Sequence, residues 1–485
     1  MNLLKLCVSG LPLFQGKCEI DFMAQQRVTE EDAEQMAQVF STGLQDFHKN
    51  NVLSFIGINA SGKTTLLKLI AFSFGLLNNE PINTIDCSEV LDGVTEGGQA
   101  VFEFYFYAKN ESTYPFGGKG AINFLQTTIT RRKSKYVIVH ETLKSKPVDK
   151  KLRKKNLLDF SSVEINMSRQ HINSEFLLDD VSIMVAFNKR NKEELLFIDM
   201  LQYTNDNHLN ITEDCPLELI AFFDPSVEYL KLKDTDANTN ICLKFKGKDE
   251  IILKHVSELN RYLSSGTIKG INVFISAMNT FKTGGYLVVD ELENHFNHEI
   301  VSTIIRFYMD PKVNYTGATL VFSTHYPELL DEFERNDNIY IVRNRQGITV
   351  ENLSTILKRN DIKKSDAYQS DFLEGTVPAY DALLLRKMSK SLAESDFMDA
   401  LGYIAYTLDA LKAAQHLLAA FDETLQRIAE FPSAHKIYCT GRPMKDEICK
   451  VPVKNYVLYY AAFQNRVEIR RFLFGKRVRS RIDEE

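Results

Sequence analysis

The stretch that most constrains the fold is residues 51–65, NVLSFIGINASGKTT, in which an apolar run ends in the pattern G-x-x-x-x-G-K-T. Glycines in such a turn let successive backbone N–H groups point inward, and a helix that starts there adds its positive end. Residues 52–56 predict the strand and residues 66–77 the helix that this pattern requires as its context. The stretch therefore predicts a phosphate-binding loop built from Gly57, Asn59, Ala60, Ser61, Gly62, Lys63, Thr64 and Thr65.

Two side chains of the loop have separate expected tasks. Lys63 is expected to reach the β- and γ-phosphates of a nucleotide, and Thr64 to hold Mg²⁺.

The 485 residues, 44% hydrophobic and 25% charged, allow several domains with sizeable cores. A net charge of -6 argues against nucleic-acid binding by the whole molecule, although local patches remain possible.

Composition also bears on location and redox state. The seven cysteines are scattered without a C-x-x-C pair, which favours reduced thiols over zinc or disulfide chemistry. No apolar run approaches the roughly 18 residues that span a bilayer, and the first residues lack a basic region followed by a long apolar core. We therefore expect a cytoplasmic protein with no membrane span.

The segments before and after the loop predict further strands and helices. Residues 3–9 and 16–22 predict a hairpin, and 25–50 a surface helix or loop. Segments 99–108, 121–130 and 136–141 predict strands of a small antiparallel sheet beside the nucleotide. We interpret lysine-rich 142–156 as a solvated loop rather than a nucleic-acid contact. Residues 174–201 have helical periodicity and are assigned to an inserted lid or arm, and 250–259 are strand-like.

Three further segments bear on chemistry. LSSGTIKG (263–270) precedes an amphipathic helix, and GYLVVDE (285–291) is a buried strand ending in Asp290 and Glu291. The next apolar strand ends in His325. In open α/β sheets the carboxyl ends of the strands are where nucleotides bind. Carboxylates there are costly to bury alone, so a metal and a water are their expected partners.

The order of these segments resembles the ABC-type AAA ATPase head, in particular its soluble branch of SMC-like repair proteins, overcoming-lysogeny-defect nucleases and bacterial defence ATPases. The resemblance covers residues 1–380, with a lid insertion at about 90–250. It implies that GINASGKT is the Walker A segment, LSSGT the signature with Ser265 and Gly266, and LENHFNHE the D-loop region. It also implies that YLVVDE is the Walker B segment, with Asp290 on Mg²⁺ and Glu291 activating water, and that His325 is the switch histidine.

Some features of related ATPases are not found in this sequence. No clear glutamine loop follows the P-loop helix. The insertion between Walker A and signature is too short and irregular for a long coiled-coil arm. The further sheet with clustered carboxylates that a Toprim nuclease needs is not found. ATP and Mg²⁺ are the implied cofactors.

A second domain is predicted for 381–485. Helices over 392–408 and 411–431 precede strands at 447–453, 456–461 and 467–474. The domain resembles the RelE/ParE toxins in its successive segments YIAYTLDALKAAQHLL, RIAEFP, VPVKNYVLYY and VEIRRFLFGKR. The resemblance implies a small α+β domain of a family whose members cut ribosome-bound mRNA or poison gyrase. Met388 near its start leaves open a natural fusion or two neighbouring genes read as one.

The end of that domain gathers basic residues, which predict contact with nucleic acid or a nucleic-acid-bound machine. They are Arg466, Arg470, Arg471, Lys476, Arg477, Arg479 and Arg481. Arg470, Arg477 and Arg479 are candidates to stabilise phosphate charge. No histidine lies in this patch, so the acid–base candidates are Tyr459, Tyr460 and Glu468. The alternative is that the arginines solvate an edge strand.

The predicted fold class is α/β: an ABC-type P-loop ATPase head with an inserted lid, followed by a small α+β RelE/ParE-like domain. The predicted function is an ATP-hydrolysing sensor of antiphage, abortive-infection defence that controls a toxin-like domain. The alternative is a DNA-associated repair or nuclease-partner ATPase with a C-terminal interaction module. LSSGT cannot fold back onto its own GINASGKT, so we expect a homodimer or higher homo-oligomer through the ATP sites. An effector or antitoxin protein is the other expected partner.

Overall fold

The computed structural model describes residues 1–109, 120–172, 177–201, 209, 214–235, 238–294, 296, 298–370, 372–373, 392–408, 410–431, 448–462 and 467–475. It divides into two compact units, Met1–Val377 and Pro378–Glu485. In the described part of the chain, no helix has both the length and the apolarity needed to cross a membrane.

The first unit contains strands of two large sheets and of two smaller ones. The strands are β1 (Asn2–Ser9), β2 (Cys18–Asp21), β3 (Ala37–Ser41), β4 (Asp46–Lys49), β5 (Val52–Ile56), β6 (Ala100–Ala108), β7 (Ala121–Arg132), β8 (Lys135–Pro147), β9 (Ile165–Ser168), β10 (Phe197–Asp199), β11 (Val227–Thr235), β12 (Asn238–Phe245), β13 (Ile251–Leu253), β14 (Tyr286–Val289), β15 (Thr319–Thr324), β16 (Ile339–Asn344) and β17 (Ile348–Asn352). The helices are α1 (Glu30–Gln35), α2 (Lys63–Leu77), α3 (Met184–Asn191), α4 (Leu217–Phe223), α5 (Ser265–Thr283), α6 (His298–Met309), α7 (Leu353–Ile356) and α8 (Lys364–Gln369).

A central sheet in the order β10-β14-β15-β5-β16-β17 carries the candidate site. Every neighbouring pair is parallel except β16 with β17. Because the sheet is covered on both faces, its central strands β14, β15 and β5 are buried along their whole length rather than at alternate residues. In β14, Tyr286 and Val288 pack into one core while Leu287 and Val289 pack into the other.

A second sheet, entirely antiparallel, has the order β2-β1-β6-β7-β8-β9. The predicted hairpin and the three predicted strands are confirmed, and all of them belong to this one sheet. Helix α2 contributes to the same core as the aromatic residues of β6, Phe102, Phe104 and Phe106. Nearly every residue of α2 is buried, as expected for a helix with packing on all sides.

Several predictions for the inserted region are wrong in detail. Residues 174–201 are not one helix, because α3 covers Met184–Asn191 and β10 then pairs in parallel with β14 at the sheet edge. Residues 173–176 lie outside the described part. Segment 250–259 is a strand only at Ile251–Leu253 and then a 3₁₀ turn. Segment 25–50 contains α1 and the β3–β4 hairpin rather than one helix or loop.

The lysine-rich segment 142–156 is not a solvated loop over its whole length. Its first part extends β8 to Pro147. Lys146 donates to the carbonyl oxygens of Asn156 and Asp159, both at 2.7 Å. Lys154 donates to the carbonyl oxygens of Ala24 and Gln25 at 2.9 and 2.6 Å. These lysines satisfy backbone carbonyls, which is a structural use of their charge.

The second unit has the predicted helix–helix–strand order. Its elements are α9 (Leu392–Gly402), a π turn (Tyr403–Thr407), α10 (Leu411–Glu430), β18 (Ile448–Val453), β19 (Tyr456–Ala462) and β20 (Val467–Phe474). The three strands form one antiparallel sheet. Its core includes Phe397 stacked on Phe421 with ring centroids 3.7 Å apart, and Phe472 edge-on to both.

Candidate active site

Three adjacent parallel strands end at the candidate site. Strand β15 lies between β14 and β5, and Thr324 pairs in register with Ile56. The phosphate-binding loop follows β5, Asp290 and Glu291 follow β14, and His325 follows β15. The central sheet therefore brings together the groups that the sequence separates by more than 200 residues.

The loop itself needs glycine at two positions. A Cβ at Gly57 would lie 2.4 Å from both Ser61 Oγ and the carbonyl oxygen of Val342. Gly62 has φ 95°, and a Cβ there would lie 2.5 Å from the side chain of Ile348. Any side chain at these positions would fill the concave loop or displace the strands around it.

A cleft of about 650 Å³ opens over this loop. Its walls come from the loop, the end of β14, the β16–β17 turn and the β1–β2 connection. The lining residues are Pro12, Leu13, Asn59, Ala60, Ser61, Gly62, Lys63, Thr64, Thr65, Glu291, Asn344, Gln346, Gly347 and Ile348. The buried Ser61 Oγ makes no hydrogen bond within the described protein. A concave loop with an unsatisfied hydroxyl fits a polar ligand.

Lys63 lines the cleft, and its ammonium group donates hydrogen bonds to uncharged backbone carbonyl groups. Its Nζ donates to the carbonyl oxygens of Gly57 at 2.8 Å and Ile58 at 3.1 Å. Burial lowers the pKa of Lys63, while the negative charges of Glu291, Glu293 and Asp290 oppose that shift. An ammonium in this setting gains from an anionic ligand such as a phosphate.

Oxygen atoms suited to a divalent cation meet beside Lys63. Thr64 Oγ1 donates to Asp290 Oδ2 at 2.6 Å. The other carboxylate oxygen of Asp290, which is buried, accepts from Ser323 Oγ. Hydroxyl and carboxylate oxygens are the ligands that Mg²⁺ prefers, so Thr64 and Asp290 fit the predicted ion. Ser323, which no sequence motif indicates, orients Asp290 from the neighbouring strand.

Glu291 is held in an unusual backbone conformation at the edge of the cleft. Its φ is 44°, in the left-handed region that residues other than glycine rarely adopt. Its backbone N–H donates to Ser323 Oγ at 2.8 Å. Such outliers persist where the surroundings enforce them and are concentrated at functional sites.

His325 is held in place by Glu293, a residue outside the predicted site. Glu293 Oε1 accepts from the backbone N–H of His325 at 2.7 Å and lies 2.8 Å from its Nδ1. Glu293 is 2% exposed, whereas the His325 side chain is 38% exposed. A buried carboxylate on Nδ1 sets the tautomer and leaves Nε2 for another partner. The sequence signal was a second acidic residue two positions after Glu291.

We predict that Glu293→Gln lowers kcat for nucleotide hydrolysis by about 10- to 100-fold and leaves KM nearly unchanged, because loss of a charge-assisted hydrogen bond costs about 1.5–3 kcal/mol. Steady-state kinetics of Glu293→Gln, His325→Ala and the double variant measure this effect. If Glu293 acts through His325, Glu293→Gln causes no further loss in the His325→Ala background. Fully additive losses would show that Glu293 acts elsewhere.

The signature segment lies at the start of α5. Ser264 caps the helix by accepting from the backbone N–H of Thr267 at 3.0 Å. Ser265 and Gly266 form the first helical positions and are not among the described residues lining the cleft. The structure of one chain therefore does not bring the signature onto its own phosphate-binding loop.

The cleft also contains residues that motif reading did not find. Asn344, Gln346 and Ile348 reach it from the turn between β16 and β17, and Pro12 and Leu13 from the β1–β2 connection. The two segments are tied together, since the N–H of Ile348 donates to the carbonyl oxygen of Leu13 at 2.8 Å. Gln346 is a glutamine in the cleft, but it follows β16 and not the P-loop helix.

In the second unit, two arginines of the predicted basic patch are described. Arg470 pairs with Glu468 at 2.8 Å, and Arg471 Nε donates to Asp396 at 2.7 Å. Arg466 and 476–481, which include Lys476, Arg477, Arg479 and Arg481, lie outside the described residues. The acid–base candidates Tyr459 and Tyr460 are 1% and 0% exposed, and burial raises the pKa of Tyr460 to about 12. Such burial disfavours both tyrosines as proton-transfer groups.

Comparison with known proteins gives three findings. A family model described as "AAA domain, putative AbiEii toxin, Type IV TA system" matches residues 52–331, and one described as "ParE toxin of type II toxin-antitoxin system, parDE" matches residues 390–479. No curated protein matches the chain. A solved structure, the SMC head domain from Thermotoga maritima, is similar at 12% sequence identity and TM-score 0.35, covering 73% of this chain and 99% of that chain. The chain thus belongs to the AAA-domain family of putative AbiEii-type, toxin–antitoxin-related proteins, with a ParE-type toxin domain after its ATPase head.

Proposed function

We propose that the chain hydrolyses ATP and that its nucleotide state controls its own ParE-type domain, in bacterial antiphage defence by abortive infection. The observation that carries the proposal is the single cleft in which Lys63, the Thr64–Asp290 pair and Glu291 meet. That cleft belongs to the same chain as a toxin-type domain. Because both are on one chain, ATP hydrolysis in the cleft would be able to switch the ParE-type domain between an inactive and an active state.

Each residue of the cleft has a separate role in the proposed hydrolysis. Lys63 offsets the charge of the β- and γ-phosphates, and Glu291 accepts a proton from the attacking water. Mg²⁺ held by Thr64 and Asp290 would neutralise phosphate charge. His325, held on its Nδ1 side by Glu293, offers Nε2 to the γ-phosphate. Most of the rate then comes from fixed charges and positioning, as is general for phosphoryl transfer.

We propose that the complete site forms between two chains. The cleft has a phosphate-binding loop and a candidate base but lacks Ser265 and Gly266 among its described lining residues. The N-terminus of α5, which presents these residues, is a suitable anion-binding element for a partner chain's nucleotide. ATP then joins two heads, and hydrolysis releases them.

The ParE-type match supports an antitoxin or effector partner for the second unit. Gyrase or ribosome-bound mRNA is the corresponding target class, reached through residues 466–481. Because Arg470 and Arg471 are already paired with carboxylates, the arginines and lysine of 476–481 are the better candidates for phosphate contact. Binding through such groups weakens steeply as salt is raised.

Bacterial growth after induced expression tests whether the bound nucleotide controls the ParE-type domain. We predict that full-length Lys63→Ala, which lacks bound nucleotide, and full-length Glu291→Gln, which traps it, affect growth in opposite directions relative to wild type. Both variants lack turnover, so a difference between them reports the nucleotide state and not the rate. The measurement is colony formation and culture density after induction, with and without phage infection.

The control is Lys68→Ala, which removes a lysine from the same helix outside the cleft and is expected to behave as wild type. Identical growth of wild type, Lys63→Ala and Glu291→Gln under all conditions would overturn nucleotide control of a toxin. If the variants changed only survival of DNA damage, the repair or nuclease-partner function would replace the present one.

A further inference from the structure

Lys269 is a buried lysine on the helix that carries the signature. It follows Ser265 and Gly266 by about one turn of α5, so its side chain lies on the same part of the helix. Only 4% of its surface is exposed. Lysine is rarely buried to this extent unless its charge is used.

The ammonium of Lys269 reaches the loop that follows β14. Its Nζ lies 3.3 Å from the carbonyl oxygen of Glu291, to which it donates. The same Nζ lies 5.5 Å from the centre of the Phe296 ring, within the range of a cation–π contact. Lys269 thus connects the first turns of α5 to the segment that contains Asp290, Glu291 and Glu293.

Burial and nearby carboxylates have opposite effects on the pKa of Lys269. Burial lowers its pKa to about 8, while Glu293, Glu291 and Asp290 oppose that shift by their negative charge. A methionine of similar length would fill the same space without the desolvation penalty. The lysine is therefore a poor choice for packing alone, and its contact with Glu291 is the feature that an apolar residue cannot supply.

The position of Glu291 is sensitive to such a contact. Its backbone has φ 44° and is held on one side by Ser323 through the N–H of Glu291 and on the other by Lys269 through the carbonyl oxygen. A shift of α5 would move the second support and not the first. The carboxylate of Glu291 would then change its orientation toward the cleft.

We propose that Lys269 is a positioning residue that transmits contact between the signature segment and a partner's nucleotide to Glu291 of its own chain. The inference rests on the proposed function, in which each site is shared between two chains. Each chain then contributes Ser265 and Gly266 to one nucleotide and Glu291 to the other. Lys269 lies between these two contributions, so it couples the two ATP sites of the assembly.

The test compares the full-length wild type with Lys269→Met in ATP hydrolysis. We expect the wild type to hydrolyse ATP cooperatively, and Lys269→Met to lose about tenfold in kcat, a typical size for coupling between sites. Its Hill coefficient should fall to about 1. Binding of ATP, which depends on Lys63, should stay within about twofold of wild type because no phosphate contact is removed.

A second readout separates positioning from a merely structural role. Because Lys269→Met removes a buried charge, its melting temperature without nucleotide should equal or exceed that of the wild type. A residue needed only for packing would lose stability and activity together. Lys269→Arg keeps the positive charge and is expected to recover part of both kcat and cooperativity, and it serves as the second variant if Lys269→Met does not fold.

The matched control is Lys282→Met, which changes an exposed lysine in the last turn of the same helix and should leave kcat and cooperativity unchanged. Unaltered kcat and Hill coefficient in Lys269→Met, or a wild type that hydrolyses ATP without cooperativity, would overturn this inference alone. A wild type that neither hydrolyses ATP nor assembles with it would overturn the proposed function itself.

Discussion

Replacing Lys63 by alanine is expected to weaken ATP binding by about 30-fold or more, because truncating one member of a buried charge pair costs about 2–5 kcal/mol. The Lys63 ammonium is held by the carbonyl oxygens of Gly57 and Ile58 and would lie against the β- and γ-phosphates. Ser61, the other polar group buried in the loop, has no charge to substitute for it. Hydrolysis at cellular ATP should therefore be lost as well.

The measurement is thermal unfolding with increasing ATP. A ligand present at about 100 times its Kd stabilises the folded state by about 2.7 kcal/mol, so the wild type should show a clear rise in melting temperature that Lys63→Ala lacks. Lys68→Ala is the matched control, since Lys68 is on the same helix and pairs with Glu89 at 2.7 Å outside the cleft. An ATP-dependent rise of equal size in Lys63→Ala would exclude Lys63 from nucleotide binding.

Glu291→Gln is expected to slow hydrolysis by about 100- to 1,000-fold while ATP binding is kept, because an amide cannot accept the proton of the attacking water. The substitution preserves the shape of the side chain and the backbone contacts of Glu291 with Ser323 and Lys269. Bound ATP should then persist, and with it the assembly of heads that ATP stabilises. Single-turnover kinetics give the rate of the chemical step.

The assembly is measured as the mass of Glu291→Gln in solution with and without ATP. A dimer, or a higher homo-oligomer, should appear with ATP. Glu218→Gln, a change of an exposed glutamate in the first turn of α4, is the control and should match the wild type in both measurements. Normal turnover in Glu291→Gln would remove Glu291 from the chemistry, and a monomer under both conditions would contradict the shared site.

The local parts of the site follow from short stretches of sequence. The apolar run of β5, the glycines of the loop and the apolar start of α2 act within about 25 residues, so their pattern alone indicates the phosphate-binding loop. The same holds for Asp290 and Glu291 at the end of a buried strand and for His325 at the end of the next. In the second unit, apolar periodicity indicated two helices and three strands close to their observed bounds.

The meeting of distant residues depends instead on how the strands and helices pack. The strand β10 is three residues long and has no pattern of its own, and it forms because the edge of β14 offers it parallel hydrogen bonds. Ser323 reaches Asp290 because β15 lies beside β14. Lys269 shows nothing unusual in sequence, since a lysine in a helix is common, and the sequence marks Glu293 merely by its place two residues after Glu291. The roles proposed for these two residues rest on burial and on contacts with Glu291 and His325, which depend on long-range packing that no local pattern records.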